Sequence, residues 1–250
     1  MRSALYKASA LLALSAVTLI KAAPFSQVII HPNDPSLSAF GCGNPVWGLA
    51  QDDCQWMSQI GMAGMGINAG GNNGHVWVGG DGPNTITFWN RSPVRIIALL
   101  WNGDQSWVNV AAPQISWSLA PGQAVTISAA NGVAGGFSAL YNHQTTLRDG
   151  QVYNTWGEFS TGNSATVDIS RLPNMSGSAM DARVGTGCVT NMNTCVFVCS
   201  NGQNRCGGPG EYALINCSGP NTAYGLDPNG QPGGGCQGWS NGGHIDVDFY

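Results

Sequence analysis

The sequence predicts an all-β chain: a sandwich of short strands with a disulfide-rich C-terminal region. Three observations predict it. From Thr85 onward, short alternating or apolar segments recur roughly every ten residues, each bounded by a Gly, Pro or Asn turn signal. No segment repeats its apolar residues at a helical period, and Pro and Gly are spread too densely for a helix beyond one or two turns. Cys188, Cys195, Cys199, Cys206, Cys217 and Cys236 crowd the last quarter, as in secreted domains stapled by disulfides.

Along the chain, Arg2 and Lys7 supply a basic start and Ala8 to Ile20 form an apolar run. That run is too short to span a bilayer, and Ala22 is a small residue suited to cleavage, so residues 1–22 are expected to be a signal peptide. No later segment is apolar enough to cross a membrane, and the ending HIDVDFY lacks the hydrophobic tail of a GPI signal. The expected location is therefore secreted, extracellular or cell-wall associated.

Residues 23–83 read as a glycine-rich N-terminal extension. Gly61 to Gly82 carries too many glycines for a helix and too few side chains for a core, with one short strand possible at His75 to Val78. Residues 84–250 then form the β domain. TITFW at 85–89 alternates, VRIIALLW at 94–101 reads as a buried strand, and ISWSL at 115–119 alternates cleanly. Pro121-Gly122 turns the chain into AVTIS at 124–128, and Asn131-Gly132 turns it toward GFSALY at 136–141. In the last strand, HIDVDFY, Asp246 and Asp248 alternate with Ile245 and Val247 and mark an outer face.

The segment NTWGEFSTGNSATVDIS, residues 154–170, carries the main chemical interest. In ATVDIS, Val167 and Ile169 share one face, while Thr166, Asp168 and Ser170 share the other. If Phe159 joins the buried face, Glu158 turns outward with Trp156. Phe159 then faces Val167 only across an odd-numbered loop such as Gly162 to Ser164, and that register sets Glu158 opposite Asp168. A two-residue Gly162-Asn163 turn would instead separate the acids. The hydrophobic pattern favours the shared face.

Composition excludes several functions. Charged residues make up 9% of the chain and the formal net charge is −4, with no basic stripe to meet phosphates, so no nucleic-acid partner is expected. His31, His75, His143 and His244 are scattered without ligand spacing, and no metal or cofactor is expected. Cys195-x-x-x-Cys199 has ligand-like spacing, but an oxidising compartment favours disulfides. Cys42 and Cys54 form the expected local pair, leaving the other six for the C-terminal region with their pairing open. Asn174-Met-Ser and Asn216-Cys-Ser are glycosylation acceptors; Asn90-Arg-Ser is weakened by Pro93. Of nine tryptophans, Trp89, Trp117 and Trp156 are expected in the core, while Trp101 and Trp107 flank a polar turn, NGDQS, and are the candidate sugar-stacking platforms.

Four stretches in order resemble the thaumatin-like proteins: TITFWNRSPVRIIALLW, LAPGQAVTISAANGVAGGFSALY, NTWGEFSTGNSATVDISRLPNMSGSAMD and TAYGLDP. Fungal secreted, effector-like members are similar at NTWGEF (154–159), NMSG (174–177), CVFVC (195–199) and GGCQGW (234–239). The resemblance implies a thaumatin-like β-sandwich. It also implies an acidic cleft of one Arg, one Glu and three Asp, associated with β-1,3-glucan binding and weak glucanase activity. Glu158 matches that Glu, and Asp168 the Asp of the Asp-Ile-Ser motif. The remaining cleft positions fall on Ala165, Tyr141 and Asn221, and Ser92 stands where the family has Cys.

Three readings of function follow. Glu158 and Asp168, with Tyr141, Asn221, Trp101 and Trp107, could bind cell-wall polysaccharide (β-glucan) or a host protein without catalysis. The same acids could serve as acid and nucleophile or base of an endo-β-1,3-glucanase, because glycoside hydrolysis needs two carboxyls about 5 to 9.5 Å apart. The low charge and glycine content also suit a structural wall component. The chain is expected to act as a monomer.

Overall fold

The computed structural model describes residues 40–102, 111–226 and 230–250. The expected signal peptide and Trp107 lie outside the described residues. The described chain begins with one helix, α1 (Gln51–Gln59), followed by β1 (Val76–Val78), β2 (Asn84–Asn90), β3 (Ile96–Asn102), β4 (Ile115–Leu119), β5 (Ala124–Ala129) and β6 (Ala134–Tyr141). A small ribbon, β7 (Leu147–Arg148) and β8 (Gln151–Val152), leads to β9 (Trp156–Ser160) and β10 (Thr166–Ser170). The C-terminal region adds β11 (Met180–Val184), β12 (Val189–Asn191), β13 (Val196–Cys199), β14 (Tyr212–Ile215), β15 (Thr222–Leu226), β16 (Pro232–Cys236) and β17 (Gly243–Phe249). The all-β expectation is borne out.

Two sheets carry the fold. The first runs β1-β5-β2-β17-β11-β12. The second runs β14-β13-β10-β9-β6-β3-β4, with the β15–β16 hairpin attached to β10. They pack face to face, because alternate residues of each strand are apolar. Ile86, Phe88, Ile127, Ile245, Val247 and Phe249 from the first sheet meet Ile96, Ala98, Leu100, Phe137, Val167 and Ile169 from the second.

The second sheet is buried on its other face as well. Ile97, Leu99 and Trp101 of β3, Leu140 and Trp156 form a separate cluster with Leu49, Cys54, Met57 and Met62 of the N-terminal segment. The unbroken apolar run of β3 has this cause: both faces of the strand are covered. In α1, Cys54 and Met57, three residues apart, turn to the sheet, and Gly61 ends the helix with positive φ.

Residues 40–83 therefore depart from the reading as an extension. β1 belongs to the first sheet through β5, and residues 46–68 close the open edge of β4. Gly48 O accepts from Ser118 N, Ile67 N donates to Gln114 O, and Gly66 N donates to Ser116 Oγ. Several glycines here are contact residues. A side chain at Gly48 would overlap the Trp117 ring, and one at Gly66 would meet the β4 backbone.

Four disulfides join Cys42–Cys54, Cys188–Cys236, Cys195–Cys217 and Cys199–Cys206. The local N-terminal pair and three C-terminal staples agree with the sequence reading. Cys195 and Cys199 bond to different partners, which disposes of their metal spacing.

Candidate functional site

The β9–β10 hairpin adopts the shared-face register. Phe159 faces Val167, Glu158 faces Asp168, and the odd-numbered loop is five residues long, 161–165, with a 3₁₀ turn at Gly162–Ser164 in its middle. Phe159 and Val167 enter the core between the sheets. Glu158 and Asp168 stand on the opposite face, their Cβ atoms about 5 Å apart, as cross-strand neighbours are.

That face is not the open, solvated surface the alternation suggested. Trp156 is buried there, and Asp168 is only 7% exposed, with Glu158 partly buried. Two neighbours cause this. On one side the register places Trp101, Gly136, Glu158 and Asp168 in a single row across β3, β6, β9 and β10. Trp101 is 1% exposed, stacks on Trp156 at 5.0 Å and donates from Nε1 to Ala111 O. It is a wall beside the acids, not the exposed platform expected of it.

On the other side, β16 pairs with β10 at Cys236 and Val167. Its Gly235 has positive φ, and a side chain there would collide with the Val167 carbonyl and the Asp168 side chain. Only glycine lets β16 press so close. The run PGGGC is thus the local reason Asp168 is buried, and the sequence reading took no account of it.

Burial governs the chemistry of the pair. It pushes Glu158 up to about 7 from the usual carboxylate range. Asp168 is raised well above its ordinary value, first by burial and then by the neighbouring Glu158. Asp168 Oδ1 is buried without a hydrogen-bond partner. Among the described residues, no Arg, Lys or His forms an ion pair with either acid.

The other sequence candidates are dispersed. Tyr141 lies on the core-facing side of β6, opposite the acids, where burial raises its hydroxyl's pKa. Asn221 precedes β15; its Nδ2 donates to Thr186 O and its carbonyl accepts from Gln237 N. It sits beyond the β10 end of the acid row. Asn174 is 9% exposed and its Nδ2 donates to Tyr153 O, so the nitrogen a glycan would need faces inward. Asn216 is exposed. Trp89 and Trp117 are only partly buried, and Trp89 donates from Nε1 to Asp246. Asp248 is buried on the outer face of the first sheet, clamped by Arg91 and Arg183.

A second polar cluster escaped the sequence reading. Asp53, 1% exposed, accepts from Ser118 Oγ at 2.5 Å and lies 2.6 Å from His143 Nε2. Arg95 Nε approaches the same carboxylate at 3.6 Å, and Arg95 also pairs with Asp52. The ligand-capable atoms of Asp52, Asp53 and His143 lie within 4.8 Å of one another, but Arg95 already serves as their cation. The groups come from positions far apart in sequence, so no local motif could reveal them.

No family model matches the sequence, and no curated protein does. Solved structures similar to the chain include the following two. The thaumatin-like xylanase inhibitor TLXI is 11% identical, with a TM-score of 0.38 over 66% of this chain and 97% of its own. The protein elicitor MoHrip2 from Magnaporthe oryzae is 10% identical, with a TM-score of 0.28 over 66% of this chain and 98% of its own. Both scores are low, and the functional reading rests on this chain's own residues.

Proposed function

We propose that this is a secreted, non-catalytic, thaumatin-like binding protein of the cell wall or host interface, which takes a neutral polysaccharide, β-glucan in the first instance, at the Glu158–Asp168 face. The observation that carries this reading is the buried, unpartnered Oδ1 of Asp168 beside a second desolvated carboxyl. A buried acceptor without a donor is costly until a partner supplies one. Sugar hydroxyls supply both donors and acceptors. In a mildly acidic medium the pair holds its protons, and protonated carboxyls complement hydroxyls without introducing charge.

The same geometry weighs against hydrolysis. A glycosidase needs one carboxyl protonated and the other ionised at a single pH. Here burial raises both, and among the described residues no cation pairs with either one. The observation favouring a weak endo-β-1,3-glucanase is that Glu158, at about 7, is tuned as a general acid would be.

Incubation of the protein with laminarin and insoluble β-1,3-glucan, following pull-down and reducing-sugar release together, separates these readings. Pull-down without release, weakened in Glu158→Gln/Asp168→Asn, is the expected result. Binding left at full strength by the double substitution removes the proposed site. Sugar release abolished by Glu158→Gln alone would make the protein a hydrolase. Neither binding nor release would redirect the assignment to a host protein.

A further inference from the structure

We infer a second, independent sugar-binding site built on Trp47, at the β4 edge of the second sheet. Trp47 is 62% exposed, yet it is held in place. Its ring meets Trp117 edge-on, with centroids 4.8 Å apart and planes at 85°. Its carbonyl accepts from Asn68 Nδ2 at 2.5 Å. Asn68 is buried and itself anchored to β4: its Nδ2 donates to Ser116 O, and its Oδ1 accepts from Ser116 N. The next residue, Gly48, fits against Trp117 only because it lacks a side chain. The backbone that carries the ring is anchored by Asn68 and Gly48 and the ring itself rests edge-on against Trp117, so part of the ordering entropy of this exposed aromatic is met before any ligand arrives.

The surroundings name the ligand class. Gly70 borders the Trp47 ring, with a Cβ there falling 3.9 Å from it. Two and three residues on, Asn72 and Asn73 are exposed. Their Oδ1 atoms accept from Gly74 N and His75 N, which leaves both amide Nδ2 groups as outward donors. Neither contributing stretch, 43–51 or 60–74, contains an Asp, Glu, Lys or Arg. A flat indole face with neutral amide donors and no charge complements an uncharged sugar ring, whose C–H face packs on the ring while its hydroxyls meet the amides. An anionic polymer would find no cation in these two stretches, and a basic peptide no acid.

The site is separate from the acid face. Trp47 lies outside β4, and β4 is four strand positions from β10, roughly 19 Å at the usual spacing. It stands whether or not the acid pair binds anything.

The test is affinity electrophoresis in native gels containing laminarin, arabinoxylan or chitin hexamer as neutral probes, and polygalacturonate as the anionic one. At least one neutral probe retards the protein and polygalacturonate does not. Trp47→Ala weakens that retardation about tenfold or more, whereas Glu158→Gln/Asp168→Asn leaves the Trp47-dependent part intact. Trp47→Leu keeps bulk against Trp117 without the flat face; it loses binding equally, which separates stacking from a folding defect. Trp47→Tyr retains most of it. Retardation unchanged in both Trp47→Ala and Trp47→Leu overturns the site, as does failure of every neutral probe to retard the wild type.

Discussion

His143 Nε2 lies 2.6 Å from Asp53 Oδ1, joining the chain just after β6 to the first turn of α1. With Ser118 and Arg95 on the same carboxylate, this contact locks the helix onto the second sheet. Asp53→Ala removes the hub of a nearly buried network while Arg95 and His143 stay partly wet. The expected cost is about 2 kcal/mol, less than for a fully buried pair. Urea denaturation measures it, and His143→Gln should cost less. Equal stability of wild type and Asp53→Ala would mean the helix docks by apolar contact alone.

The acid pair makes a pH prediction with a definite sign. Glu158 and Asp168 hold their protons to higher pH in the folded chain than in the unfolded one. Their contribution to stability is fully present below the ordinary carboxylate range. It is lost as pH rises toward about 7, where Glu158 ionises. Glu158→Gln should therefore match the wild type near pH 4 and melt higher than it at pH 8. Melting curves at the two pH values test this; a variant that is less stable at pH 8 contradicts it.

Gly157→Ala is expected to be among the more damaging single methyl additions. A Cβ there would overlap the Phe137 ring, in the strand beside it. Overpacking of this kind costs about 1–3 kcal/mol. Gly122→Ala makes the control, since nothing lies within 4 Å of a Cβ there and only its positive φ resists substitution. Thermal denaturation should rank Gly157→Ala below it.

The Cys42–Cys54 bridge closes a loop with a sequence separation of 12. Replacing both cysteines by serine should cost about 3 kcal/mol by the loop-entropy account. The loss concentrates in the segment before Gly61, so limited proteolysis should cut there first. First cleavage in the β9–β10 hairpin would show that the bridge supports the whole sandwich instead.

The strands were legible because local pattern decides them. ISWSL became β4 with the same ends, and the odd loop inferred from Phe159 and Val167 set Glu158 against Asp168 as expected. What lay beyond local pattern was the covering of the second sheet's other face. VRIIALLW carries a trace of it, since a strand apolar at every position needs a partner on both sides. The partner came from a stretch whose glycines were read as slack. At Gly48 and Gly66 they permit close approach, and at Gly235 they bring β16 onto Asp168. Composition counts such glycines without distinguishing the two uses.

The docked N-terminal segment also constrains the order in which the chain can assemble. Its anchors arrive late: Ser118 follows Asp53 by 65 residues and His143 by 90. As the polypeptide is made, α1 is complete long before any surface exists to receive it. Until Ile97, Leu99, Leu140 and Trp156 have all emerged, the apolar face that Met57 and Leu49 cover is incomplete. The earliest-made part of the described chain thus closes the structure, and contacts of such long range slow folding. A productive folding route leaves that segment unpaired until the sheet beneath it is in place.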